Sequence, residues 1–236
     1  MRALTLLALA AALTAAEPRR IVSTAPSITE ILFALGLGPR VVGVSRFCSY
    51  PPEVKDIPKV GAYARPNAEV ILAARPDLIV LQRAAAPVPP ALLESGARIL
   101  EVHHTGLDSI FDSIRRIGEA AGAADRARRL IQDIRAQLDA IRARVKGRPA
   151  RRVLFIAGRT PGTLQGLVAA GKGSYLDELI ALAGGRNVLG DSVASYPRIS
   201  LETVLALDPE VIVDMGDTPD PAAAAGHHRQ SVIALW

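Results

Sequence analysis

Sulfur chemistry is nearly absent from this chain. One cysteine, Cys48, stands among 236 residues, which excludes an internal disulfide framework and leaves burial to hold the fold together. Cys48 itself reads as a small buried hydrophobe beside a turn. Aromatic residues make up only 4% of the sequence, and none alternates with basic residues in the manner of single-strand nucleic-acid binders. The net charge is +5, but the basic residues gather from Arg115 to Arg152 at helical spacing, the pattern of a solvated helix face. Nucleic-acid binding is therefore not expected. Beyond the N-terminal residues no apolar run reaches the roughly 20 residues of a bilayer span, because Arg, Asp or Pro interrupts each one.

Catalytic signatures are missing as well. There is no Gly-x-Ser-x-Gly elbow, no phosphate-binding glycine loop and no nucleophile with a recognisable base beside it. The chain is not expected to be an enzyme, and Ser23, Ser27 and Ser45 read as loop donors and caps. His-Glu-x-x-His and Cys-x-x-Cys spacings are also lacking. Adjacent histidines on a strand point to opposite faces, so the pairs His103-His104 and His227-His228 are poor chelators. Direct zinc or manganese binding, or metal-dependent catalysis, is the alternative from another class. No protein-held metal or cofactor is expected.

What is present begins with an export signal. Arg2, the apolar run Ala3 to Leu13 and the small residues Thr14-Ala15-Ala16 form a secretory signal peptide over residues 1–16, with cleavage after Ala16. No cysteine stands at that point, which argues against a lipid anchor and for a protein exported in soluble form to a periplasm.

A fourteen-residue pattern then occurs twice. Asn67-Ala-Glu-Val-Ile-Leu-Ala-Ala-Arg-Pro-Asp-Leu-Ile-Val80 and Ser200-Leu-Glu-Thr-Val-Leu-Ala-Leu-Asp-Pro-Glu-Val-Ile-Val213 share six identical positions. Each copy has a cap-capable residue, a glutamate two places later (Glu69, Glu202), a short apolar helix, a proline-acid turn and a β-branched strand. The copies lie too far apart for a solenoid and suit two similar α/β lobes. A second echo links Thr29 to Ser45 with Asp177 to Ser192. In both, an apolar helix is closed by glycine, which supplies the left-handed cap other residues resist, and is followed by a strand. Two lobes imply a cleft.

The remaining elements fit this plan. Strands are expected at Arg20 to Thr24, Val41 to Ser45, Leu78 to Gln82 and Arg98 to Val102, alternating with helices as in a mostly parallel sheet covered on both faces. From Leu107 the pattern turns to long helices, the second from about Ala124 to Lys146, without an interrupting glycine or proline. It reads as a rigid strut rather than a flexible linker. Arg152 to Ala157 and Val211 to Asp214 are strands of the second lobe. The division is 1–16 signal peptide, 17–105 N-terminal α/β lobe, 106–149 helical connector and 150–236 C-terminal α/β lobe. Val232 to Trp236 looks like a segment beginning, so the second lobe is expected to be incomplete.

The export signal, the two lobes, the helical connector and the segments Ser23-Thr-Ala-Pro-Ser-Ile-Thr-Glu30, Tyr50-Pro-Pro52, Val60-Gly61 and Arg75-Pro-Asp-Leu-Ile79 together resemble the helical-backbone class of periplasmic substrate-binding proteins. These deliver cobalamin, haem or ferric siderophores to ABC importers. The likeness runs from about Arg20 to Met215. It implies Rossmann-like lobes joined by one long helix, a monomer, and a cleft between the lobes. It also implies that Glu69 and Glu202 dock onto arginines of the two permease subunits. Each glutamate would in any case favour its helix N-terminus by roughly 0.3–1 kcal/mol. Glu30, by contrast, reads as part of a capping box Ser27-Ile-Thr-Glu30.

Ligands of α/β lobes bind where loops converge at strand ends. The loops are Arg46 to Tyr50, Ala62 to Arg65, Gln82 to Ala84, Arg159 to Gln165 and Ser195 to Arg198. The candidate binding residues are Phe47, Tyr50, Tyr63, Arg65, Gln82, Arg159, Tyr196 and Arg198. Aromatic faces suit a partly apolar macrocycle, and the arginines suit carboxylates or phosphates. The resemblance is closest to the cobalamin branch, whose stacking aromatics align with Phe47, Tyr63 and Tyr196. Tryptophan is usual at the last two positions and at the position of Gln82. In the haem branch a tyrosine follows Val-Gly directly, whereas here Ala62 does and Tyr63 comes one place later. The expected cargo is cobalamin or a related corrinoid, with haem or a ferric siderophore as the alternative.

Overall fold

The computed structural model describes residues 17–83, 87–215 and 236. The signal peptide, His227-His228 and residues 232–235 lie outside the described residues.

The first lobe contains β1 (Ile21–Ser23), α1 (Pro26–Ala34), β2 (Val41–Val44), β3 (Gly61–Ala62), β4 (Arg65–Pro66), α2 (Ala68–Ala73), β5 (Leu78–Gln82), α3 (Pro90–Leu93) and β6 (Arg98–Val102). Four strands form a parallel sheet in the order β2-β1-β5-β6. Its central strands bury side chains on both faces, as parallel strands covered by helices must: β1 and the first four residues of β5 are buried throughout. One face packs Ile28 and Leu32 of α1 on Ile21 and Val80, the other packs Ile71 and Leu92 on Val22 and Ile79. Each such side chain, fully removed from water, contributes roughly 1.5–3 kcal/mol.

The connector helices are α4 (Leu107–Ala120) and α5 (Ala124–Val145). Phe111, Ile114 and Ile117 of α4 and Ala127 of α5 belong to the same core cluster as Ile21 and Leu32. This end of the connector is thus part of the first lobe's packing. Along α5 only Ala127 is buried, and its arginines face water, with Arg128 and Arg142 paired to Asp125 and Asp139 one turn earlier. Its 22 residues span about 33 Å, and its last residue, Val145, reaches Gly184 of the second lobe.

The second lobe contains β7 (Arg151–Gly158), β8 (Leu167–Ala169), α6 (Tyr175–Leu182), β9 (Gly185–Asn187), β10 (Arg198–Ile199), α7 (Leu201–Leu207) and β11 (Val211–Asp214). β7 pairs in parallel with β9 and β11, as β1 does with β2 and β5. β8 is antiparallel to β7 and to β10. The loop 159–166 is too short for the crossover a parallel return needs, so this sheet is mixed where the first is wholly parallel.

Both sequence echoes have matching geometry. Gly36 closes α1 at φ +66° and Gly184 closes α6 at φ +78°. In the fourteen-residue repeat, Asn67 and Ser200 cap their helices by accepting from Val70 N–H and Thr203 N–H. Arg75 and Asp208, at the same repeat position, adopt left-handed φ of 46° and 43°. The next acid does the same task in each lobe. Asp77 accepts from the N–H groups of Arg19 and Arg20 at the start of β1, and Glu210 accepts from Arg152 N–H in β7.

The expected capping box at Ser27 is corrected. Pro26 occupies the first turn of α1 and shifts the helix start upstream, so the N-cap is Ala25, with no side-chain cap. Proline is favoured there because its missing N–H has no intrahelical acceptor to lose. Ser27 and Glu30 are thereby released for other contacts.

Candidate functional site

At the C-terminal ends of the first sheet's strands, the start of α1, the end of β5 and the loop after β6 bring Ser27, Glu30, Gln82 and His104 to one side of a cavity of about 560 Å³. Tyr175, the first residue of α6, and Tyr196, in the loop before β10, close it from the second lobe. Its floor is apolar, formed by Ile114 of α4 with Leu130 and Ile134 of α5. A smaller recess of about 210 Å³ adjoins it, lined by Tyr63, Arg65, Gln82 and Glu101 among others. Gln82 borders both.

The polar lining of the larger cavity comprises a serine, a carboxylate, an amide, an imidazole and two phenols. The His104 ring is held by a 2.9 Å contact between Nδ1 and Ser27 Oγ, while Nε2 is enclosed without a hydrogen-bond partner. Burial, and secondly the neighbouring His103, push the imidazole pKa below its ordinary value, favouring the uncharged ring. Burial, with Tyr175 adding to it, pushes the Tyr196 phenol up, and burial raises the Glu30 carboxyl. No arginine or lysine is among the described residues that line this cavity.

Of the eight candidate residues from sequence, Gln82 and Tyr196 meet in the interlobe cavity, and Tyr63 and Arg65 sit in the adjoining recess. Phe47 and Tyr50 are exposed outside both, with Arg46 stacked 4.8 Å from the Phe47 ring centre. Arg198 is exposed on β10, outside both linings. Arg159 lies outside both linings: its side chain is 0% exposed and its Nε lies 2.9 Å from Asp214 Oδ2. Enclosed with a carboxylate, this arginine joins the ends of β7 and β11. Glu69 and Glu202 both stand exposed in the first turns of α2 and α7. The Glu202 carboxyl is lowered by the Ser200 hydroxyl and its own backbone N–H.

Four polar cavity residues are not among the candidates from sequence. Ser27 and Glu30 were absorbed by the capping box, and the proline at position 26 was the signal against it. The sequence offers His104 only as half of a poor chelating pair, whereas in the fold His103 is exposed and His104 turns inward. Tyr175 carried no local signal, since it reads as the first residue of a helix. Among the described residues no group of three or more metal-ligating side chains occurs.

A recess of about 580 Å³ lies elsewhere, against Val153 and Phe155 of β7, Val211 and Val213 of β11, and α6. It is larger, but apart from the end of the connector, Val145 to Pro149, it draws on the second lobe alone. Convergence of polar groups from two lobes, not volume, selects the interlobe cavity.

Two α/β lobes on a helical backbone, with a cavity walled by both, define a two-lobed binding protein. The chain belongs to the periplasmic binding protein family, whose model matches residues 21–228, and within it to the helical-backbone class. It is 32% identical over 199 residues to the vitamin B12-binding protein of Salmonella typhimurium, covering 84% of this chain and 72% of that protein. Among solved structures it is similar to the apo periplasmic haem-binding protein RhuT from Roseiflexus sp. RS-1, with 35% identity, a TM-score of 0.71 and coverage of 83% and 76%. It is also similar to the periplasmic vitamin B12-binding protein BtuF of Vibrio cholerae, with 30% identity, a TM-score of 0.71 and coverage of 93% and 83%.

Proposed function

We propose that this protein is exported by cleavage after Ala16 and captures a corrinoid in the interlobe cavity for delivery to an ABC permease. The observation that carries the reading is the meeting of Gln82 from the first lobe with Tyr175 and Tyr196 from the second around one apolar-floored cavity. A corrin ring is a broad, partly apolar plate fringed by neutral amides. Tyrosine faces and an aliphatic floor suit the plate, while Gln82, Glu30 and the tyrosine hydroxyls suit amide donors and acceptors. The lack of a cation among the described lining residues favours amides over carboxylates. The similarity to vitamin B12-binding proteins supports the same cargo.

Haem is the second reading, favoured by the 35% identity to a haem-binding protein and by Tyr63, an exposed phenol in the adjoining recess. Titrating the mature protein with cyanocobalamin, haemin and a ferric siderophore separates these cases. Saturable one-to-one binding of the corrinoid alone supports the proposal. A tyrosinate-to-iron charge-transfer band on haemin, lost in Tyr63→Phe, replaces it with haem.

Docking through Glu69 and Glu202 is part of the proposal. One exposed carboxylate per lobe suits a near-symmetric permease dimer with arginines facing it, since complementary charge sets register and on-rate. The double variant Glu69→Ala with Glu202→Ala is expected to abolish uptake while leaving cargo affinity intact. Normal uptake by that variant rejects the docking role.

A further inference from the structure

One contact across the lobes serves neither the cargo nor the permease directly. Glu178, in the first turn of α6, accepts a hydrogen bond at Oε2 from the backbone N–H of Leu107, 3.2 Å away. Leu107 opens α4, whose 14 residues leave their first N–H groups without helical partners and direct the positive end of the helix dipole toward them. The carboxylate of one lobe therefore closes the start of a helix packed in the other. Neighbouring donors are already engaged: the Ser109 hydroxyl accepts from Thr105 N–H and Gly106 N–H. Gly106 permits the approach, because a Cβ there would stand 2.4 Å from Glu178 Oε1.

Both ends of the contact are next to the interlobe cavity. Tyr175 precedes Glu178 by three residues and shares its side of α6, and His104 precedes Gly106 by two. Tyr175, from the second lobe, and His104, from the first, both line that cavity. We propose that Glu178 is a positioning residue that latches the lobes together, holding the wall that carries Tyr175 in register with the wall that carries His104. Its effect on cargo rests on the binding reading above; its effect on lobe geometry does not.

Spin labels at Glu53→Cys and Arg186→Cys, exposed positions on the two lobes, in a Cys48→Ala background measure the interlobe distance in ligand-free protein. Glu178→Ala is expected to broaden the distance distribution, and Gly106→Ala to do so independently by displacing the carboxylate. Glu178→Gln, which keeps an acceptor, is expected to stay close to the parent. Should one variant fail to fold, the other decides. An unchanged width in the folded Glu178→Ala or Gly106→Ala protein overturns the latch, as does a lowered melting temperature without broadening. In parallel titrations, affinity for whichever of cyanocobalamin and haemin the parent binds is expected to fall about two- to fivefold, the range of a carboxylate at an exposed helix N-terminus. A parent that binds neither overturns the cargo reading, and the distance measurement still decides the latch.

Discussion

Leu72 and Leu205 occupy the same place in the fourteen-residue repeat, yet Leu72 packs on the cluster that holds Ile79 and Leu92, while Leu205 is 73% exposed. The strands that follow differ in the same way. β5 is buried over its first four residues, whereas β11 alternates between exposed and half-buried. β5 lies between β1 and β6, whereas among the described residues β11 pairs with β7 alone, and no counterpart of α3 and β6 is found there in the second lobe. The helix, turn and strand form identically in both lobes because capping and turn chemistry are local. Burial depends on what packs against them.

The lobes also hold their strand ends differently, and this gives the largest predicted effect. In the second lobe the buried Arg159–Asp214 pair ties β7 to β11. Arg159→Ala removes one partner of a buried pair whose carboxylate also accepts from Trp236 Nε1–H, and it is expected to cost about 3 kcal/mol in urea unfolding, the lower end for breaking a buried pair. A loss below about 1 kcal/mol would mean that the pair is dispensable and the lobes are held alike. The repeat leucines come next. Leu72→Ala is expected to cost about 1–2 kcal/mol, below the range for a fully enclosed leucine, and Leu205→Ala less than about 0.5 kcal/mol. Equal losses would remove the contrast in burial.

The caps should instead show equality. Asn67→Ala and Ser200→Ala each remove one acceptor from an N–H three residues on and are each expected to cost about 0.5–2 kcal/mol. A difference much above that spread would show that the repeat is not equivalent at its helix starts. The smallest effect concerns pH and belongs to the first lobe. Because the His104 pKa is lowered on folding, the unfolded chain binds the proton more readily. The associated stability is complete above the unfolded value of about 6.5 and is lost as pH falls from there through the folded value. Unfolding followed across that window should show a slope that flattens in His104→Gln. An unchanged slope assigns the pH dependence elsewhere.

Much of the secondary structure was legible because its causes are local. β5, β6 and β11 fall on the residues expected from β-branched runs, and α5 ends within one residue of the expected Lys146. The start of α1 was misread because two local signals competed, and proline's fixed φ prevailed over the Ser-x-x-Glu pattern. Phe47 and Tyr50 were legible as loop aromatics, but sequence could not say that their loop stands outside the cavity.

Duplication, the strut helix and one acid in the first turn of each repeat helix were set by the sequence itself, through period, caps and turns that act over a few residues. Which residues share a cavity was decided only by tertiary structure. Ser27 meets His104, Arg159 turns inward to Asp214, and Tyr175 faces Gln82 across the lobes because chain segments far apart in sequence converge where strands end. Such convergence follows from packing whole sheets and helices together, and no short window of residues encodes it.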